Sequence, residues 1–366
     1  MKVGIFGGAF DPVHSEHLNI AKVALEELDL DRLLIAPTSD PPHKKGATAS
    51  FSDRYEMAKL VFSFDDRIEV SDIETRLPDG YSTTLVEAIR SEYDGAETVF
   101  IMGGDSLRDF LTWHEPETLI SMTEFALVRR DGAAYFDESL ADLTSSYGMR
   151  ATVLPYNGRE ISSSVLQAEL ELNGSSPDVP TEAMEYISSH NLYSDYSEFL
   201  ARVRADMSEK TFAHVSRTCL YAMRFRSVLR LTFEEVFLAT VLHDIAKHRP
   251  LPEMIGVPAP VVHQYEGAKV AATEYGIADE NILSAIRTHT TGDENMTSLQ
   301  KLVYLADTLE PARDYPGVEE LRKAVDEDFE RGFVRVVRHT YDHLKESGGE
   351  IDALTEKCLE YYKHNQ

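Results

Sequence analysis

Apolar residues along the first 155 positions follow two alternating periods. Short runs rich in β-branched and aromatic residues stand at Lys2–Phe6, Leu33–Ala36, Ile68–Ser71, Thr98–Met102, Phe125–Arg129 and Thr152–Leu154. Their length and makeup predict buried strands. Between them the spacing turns helical: Leu18, Ile20, Ala21, Ala24, Leu25 and Leu28 share one face, and Ser52–Phe62 and Ser82–Glu92 are amphipathic in the same way. Strands alternating with helices predict a parallel sheet covered by helices on both faces, with ligands at the strands' C-terminal ends. From Glu198 the pattern becomes helix after helix with few β-like runs, and no long Pro/Gly/Ser linker precedes the change. The expectation is an α/β domain over 1–195 followed by an all-α domain over 196–366.

The length of 366 residues suits two domains. Thirty-six basic against 63 acidic residues give a formal charge of −27. Such a field repels nucleic acid and anionic membranes. Any polyphosphate site must then be rescued locally by basic groups, helix N-termini or metal ions. No apolar run approaches the roughly 18–20 residues of a membrane span, and the N-terminus enters a strand with no secretory pattern. Cys219 and Cys358 form no CxxC pair. These features lead us to expect a protein of the reducing cytoplasm, with no nucleic-acid or membrane partner.

The densest chemistry lies in residues 3–18, VGIFGGAFDPVHSEHL. A strand runs into Gly7 and Gly8, then Phe10, Asp11 and Pro12, and a helix begins with His14 and His17 in its first turn. Glycines keep Cβ atoms out of the way of a polyphosphate. The helix N-terminus offers free N–H groups and positive dipole character, and imidazoles three apart share one face. After the second strand comes Pro37-Thr38-Ser39-Asp40-Pro41-Pro42-His43-Lys44-Lys45, a stiff loop with basic groups at its end. It reads as a phosphate clamp or as an ordinary solvated loop. After the fourth strand come Gly103, Gly104, Asp105 and the chain's one tryptophan, Trp113. A carboxylate there can hold ribose hydroxyls, and an indole can stack on a planar ring.

The first stretch resembles the GxFxPxHxGH motif of the nucleotidylyltransferase superfamily, with Glu16 in place of the usual glycine. That carboxylate must point away from bound phosphates. PPHKK, MGGDSLRDFLTWHEPE and YISSHNLY extend the resemblance over residues 1–193 to nicotinate-nucleotide adenylyltransferases. It implies a Rossmann-like domain that transfers AMP from ATP to nicotinate mononucleotide with Mg2+. Catalytic roles would fall to His14, His17 and Lys44. Nucleotide binding would fall to Gly7, Gly8, Phe10, Lys45, Gly103, Asp105 and Trp113. The last family motif, ISSTxxR, reads Ile161-Ser162-Ser163-Ser164-Val165-Leu166-Gln167 here. Ser162, Ser163 and Ser164 can still donate to phosphate, but glutamine cannot replace a permanent cation. Arg159, Lys45 or Arg130 are candidate substitutes.

In the second half, His214, His243-Asp244, His263, His289 and Asp307 stand on or beside predicted helices. Asp307 interrupts the apolar run LVYLAD, where an unpaired carboxylate is costly. Imidazole with carboxylate suits Mn, Fe or Zn, and an Asp beside a His can bridge two metals. The order, with HDIAK, HTTG and YLADTLEPAR, resembles the HD phosphohydrolase superfamily, and most closely the bacterial hydrolases that cut diadenosine tetraphosphate symmetrically to ADP. The resemblance covers residues 198–345. It implies two divalent transition metals, Fe or Mn: one on His214, His243, Asp244 and Asp307, the other on Asp244, His263 and His289. Lys247 would meet a substrate phosphate or be a solvated helix lysine, and Arg313 is a further candidate. His339, His343 and His364 read as solvated. The implied whole is a bifunctional enzyme. The alternatives are a first domain reduced to a regulatory nucleotide-binding module, or other substrates such as nicotinamide mononucleotide. The oligomeric state is not legible.

Overall fold

The computed structural model describes residues 1–39, 49–130, 135–159, 161–348 and 350–363; the side chains of Asp105 and Arg130 lie outside that description. The chain divides into two compact units, Met1–Tyr193 and Ser194–Gln366.

The first unit is built on six strands: β1 (Lys2–Gly8), β2 (Arg32–Pro37), β3 (Ile68–Val70), β4 (Glu97–Gly103), β5 (Glu124–Arg130) and β6 (Ala151–Gly158). All pair in parallel, in the order β3-β2-β1-β4-β5-β6. Each expected strand is present; β3 ends one residue before the expected Ser71, and β6 runs over Ala151–Gly158 rather than Thr152–Leu154 alone. Side chains alternate between two cores, as the pleat requires. Val3 and Ile5 of β1 join Phe100, Leu127 and Leu85 on one face. Phe6 joins Ile20, Leu33, Ile101 and Val128 on the other. Helices cover both faces, which is why the strands read as near-continuous apolar runs. Chain order reverses between β1 and β4, so a crevice opens beyond their carboxyl ends.

In the second unit every regular element among the described residues is helical. Three helices matter for the site: Glu209–Met223, Phe233–Leu242 and Ser298–Leu309. Their caps follow local rules. Ser208 accepts from the Thr211 amide, and Thr232 with Glu235 and Thr297 with Gln300 form reciprocal capping boxes. No helix among the described residues is long and apolar enough to cross a membrane.

Candidate active sites

The crevice between β1 and β4 holds a cavity of about 300 Å³. Gly7, Gly8, His14, His17, Gly103 and Trp113 are among the residues that line it. A Cβ at Gly7 would meet no atom closer than 3.9 Å. Internal packing therefore does not require glycine there, and the open space belongs to the cavity. His14 caps the helix Ser15–Glu27 in an extended conformation, so the start of that helix lies at this end, with its Ser15 amide donating to Asp178 O at 2.8 Å. The His14 amide donates to His17 Nδ1 at 3.3 Å. The two rings stack with centroids 3.5 Å apart.

Phe10 does not line the cavity. It is buried beneath His17, ring to ring at 4.7 Å, and also packs on Phe6 and Phe62. Its part is to support the histidine. Trp113 is half-buried against Phe110 and Phe100, with one face left to the cavity. Ser162 caps and Ser163 opens the helix Ser163–Asn173, Ser164 is buried, and none of the three is among the lining residues. Lys44 and Lys45 lie outside the described residues, as do the side chains of Asp105 and Arg130. Asp105 starts a short helix directly after Gly104, and Arg130 ends β5.

Glu16 points away from the cavity, as repulsion demands. Its Oε2 accepts from Tyr156 Oη at 2.9 Å and from the Arg159 amide at 3.0 Å. The Arg159 guanidinium lies 3.4 Å from Glu16 and 2.7 Å from Asp178, so this substitute cation is already committed to carboxylates. Gln167 is buried and donates to Asp11. Sequence reasoning missed Glu74. It lines the cavity yet is only 6% exposed. Burial pushes its carboxyl up to about 7, with help from Asp79 and against the Ser39 amide.

The second unit gathers its histidines and aspartates from distant segments into one cluster. His214 comes from the helix Glu209–Met223 and Asp307 from Ser298–Leu309. His243 and His289 sit at the C-caps of their helices. The segment His243–Lys247 is a series of tight turns rather than the expected continuation of the helix.

One local device orients three of the rings. Nδ1 of His243 donates to Thr240 O at 2.6 Å, that of His263 to Pro260 O at 2.8 Å and that of His289 to Ile286 O at 2.7 Å. Each acceptor is the carbonyl three residues back, left over at a helix or turn end. A carbonyl can only accept, so Nδ1 carries the proton and Nε2 presents its lone pair. His214 is set by a carboxylate instead: Nδ1 lies 3.1 Å from Glu310 Oε1 and Nε2 2.9 Å from Asp307 Oδ1. Glu310 is itself clamped by Arg217 and the Ala312 amide.

Asp244 stands at the centre with its two oxygens turned to different rings. Oδ2 lies 3.7 Å from His214 and 3.6 Å from His243. Oδ1 lies 3.4 Å from His263 and 3.6 Å from His289. Oδ1 and His243 Nε2 are buried and make no hydrogen bond. The Nε2 atoms of His263 and His289 stand 3.1 Å apart, close enough to share a proton or a metal ion. Ligand atoms of His214, His243 and Asp307, and again of His243, Asp244 and His289, fall within 4.8 Å of one another. This donor set fits divalent transition metals. Burial alone would raise both aspartates, but the surrounding imidazoles outweigh it and hold both well below the ordinary carboxylate range.

Lys247 Nζ is 2.6 Å from Asp244 Oδ2 and Arg313 is 2.6 Å from Asp307 Oδ1, so both basic side chains flank the ligand carboxylates. A hollow of about 630 Å³ opens beside His289 and Asp307. Its far wall corrects one expectation: His339 is not simply solvated, but partly buried and stacked on Tyr315. His343 is exposed, as expected, and His364 lies outside the described residues.

Known proteins match both halves. The cytidylyltransferase-like family matches residues 5–191 and the HD domain family residues 211–312. A Mycoplasma genitalium protein named "Probable nicotinate-nucleotide adenylyltransferase/Ap4A hydrolase" is 28% identical over 85% of this chain and 88% of its own length. Its Mycoplasma pneumoniae counterpart is 29% identical over 88% of this chain and 91% of its own. A Neisseria meningitidis serogroup B protein named "Probable nicotinate-nucleotide adenylyltransferase" is 33% identical over 52% of this chain and 98% of its own. Over residues 5–191 the chain belongs to the cytidylyltransferase-like family, and over residues 211–312 it carries an HD domain.

Proposed function

We propose that the chain is a bifunctional enzyme of adenine nucleotides. The first unit joins ATP and nicotinate mononucleotide to give the dinucleotide and pyrophosphate. The 5′-phosphate of the mononucleotide attacks the α-phosphorus of ATP in line, with no covalent intermediate. Catalysis is positioning and charge stabilisation. The stacked His14–His17 pair takes the ATP phosphates, with the positive end of the helix dipole behind it and Mg2+ arriving alongside the nucleotide. Lys44 and Lys45 add cations, and Trp113 stacks on the pyridine ring. The observation that supports this reading is that the histidine pair and the indole line one cavity at the β1–β4 crevice.

The second unit hydrolyses dinucleoside tetraphosphate, diadenosine tetraphosphate first among them, to ADP. His214, His243, Asp244 and Asp307 would hold one metal and Asp244, His263 and His289 the other, Fe or Mn in each. Metals so held make a coordinated water acidic and neutralise phosphate charge. Lys247 and Arg313 then orient the phosphate chain. The supporting observation is Asp244, whose two oxygens face two different sets of imidazoles. The Mycoplasma relatives, named for both activities over most of this chain, point the same way.

Chromatography of products tests both activities. One mixture holds ATP, nicotinate mononucleotide and Mg2+; the other holds diadenosine tetraphosphate with Mn2+ or Fe2+. Dinucleotide with pyrophosphate in the first and ADP alone in the second are expected. ADP from the second mixture with no dinucleotide from the first would reduce the first unit to a binding module. AMP with ATP as products would overturn the symmetric cut.

A further inference from the structure

The HD match ends at residue 312, yet the hollow beside the ligand cluster continues well beyond it. One end is formed by His289, Asp307 and Arg313. Tyr315 and, on the helix Phe329–Glu346, His339 continue the lining, followed along that helix by Asp342, His343 and Glu346. Residues 339, 342 and 346 are spaced three and four apart, so they share one face of that helix. The Tyr315 and His339 rings lie 24° from parallel with centroids 5.4 Å apart. Tyr315 Oη donates to Thr308 O at 3.2 Å, which ties that ring to the helix carrying Asp307.

The two ends differ in charge. Arg313 and the metal-holding cluster make one end suited to phosphate. Asp342 and Glu346, with His343 between them, give the other end carboxylate acceptors suited to hydroxyl and amino donors. An aromatic pair stands between. We propose that Tyr315 and His339 form the platform for a purine nucleoside, with Asp342 and Glu346 accepting from its hydroxyl or amino groups. The substrate would thus lie with its phosphates at the cluster and its nucleoside toward Glu346. Recognition of the nucleoside is supplied by Tyr315 and the helix Phe329–Glu346, both outside the matched HD region. The volume of about 630 Å³ is within the range of pockets that enclose a molecule of this size. This inference rests on the hydrolase reading of the second unit for its phosphate end, but not on the length of the phosphate chain.

Photolabelling of the full chain with 8-azido-ADP, followed by peptide mapping, tests it without relying on turnover. Label on peptides containing Tyr315 or His339, displaced by excess ADP, is expected; label confined to other peptides overturns the platform. In kinetics, His339→Ala should raise KM for diadenosine tetraphosphate about ten-fold, the order of one lost stacking partner. Its kcat and bound metal should hold within two-fold, and His339→Phe should restore KM. An unchanged KM, or a loss of metal in step with activity, also overturns the proposal. If the wild type cuts no tetraphosphate while the label maps to Tyr315 or His339, the substrate reading fails and the nucleoside platform stands.

Discussion

Gln167 Nε2 donates to both the main-chain oxygen and the carboxylate of Asp11, at 2.9 and 2.8 Å. The same carboxylate accepts from Tyr193 Oη at 2.6 Å and from the Ala49 amide at 3.1 Å. A residue of the histidine loop is thus fastened to the helix Ser163–Asn173 and to the end of the first unit. Gln167 replaces the arginine of the related motif, but here it is a buried structural donor. Gln167→Leu should lower stability by about 1–3 kcal/mol, since it removes two hydrogen bonds from a buried carboxylate residue. Thermal unfolding measures this. Gln167→Arg should bring no gain in adenylyl transfer, and a ten-fold gain would show that the position reaches the phosphates after all.

Trp113 is the chain's only tryptophan and lines the first cavity. Its emission should change on titration with nicotinate mononucleotide and stay constant with diadenosine tetraphosphate bound only in the second unit. Trp113→Phe should weaken mononucleotide binding by about five- to ten-fold, as expected for a smaller stacking surface.

Glu310 orients His214 from behind. Glu310→Gln should keep the fold and weaken metal binding about 10- to 100-fold, the usual cost of losing such a carboxylate–histidine partner. Titration with a chromophoric chelator reads the affinity directly. Asp244→Asn should be more severe, since its two oxygens face both sets of imidazoles.

Removing metal should destabilise the second unit, because it leaves the buried Asp244 Oδ1 and His243 Nε2 without a hydrogen-bond partner among the described residues. Metal at a hundred times its dissociation constant should restore about 2.7 kcal/mol. Calorimetry after chelation and after refilling with Mn2+ measures the shift. Identical unfolding with and without metal would sink the assignment of the cluster.

Glu74 gives a pH dependence. Its carboxyl is raised to about 7 by burial in the folded unit, and its Oε2 finds no hydrogen-bond partner among the described residues. The folded state therefore holds a proton that the unfolded chain releases at its ordinary, lower pKa. The stability contributed is full below the unfolded value and is lost as pH rises toward and through 7. Glu74→Gln should flatten this slope, a difference on the order of 2 kcal/mol between pH 4.5 and 8. Urea unfolding at several pH values tests it.

Sequence by itself determined the strand and helix periods, the change of pattern near residue 198 and the segments that carry the chemistry. Local spacing and backbone preference act within a few residues, so glycine turns, cap positions and apolar faces are readable there. The HD motif likewise named six side chains before any distance was known. Tertiary structure alone decided which of these meet. It turned Phe10 into a support for His17, drew Gln167 into the core and made Glu310 the partner of His214, 96 residues away. It also brought His339 onto Tyr315 beside the cluster. These outcomes depend on how helices distant in sequence pack against one another. Such packing sets side-chain direction and solvent access, neither of which is encoded in the spacing within one segment.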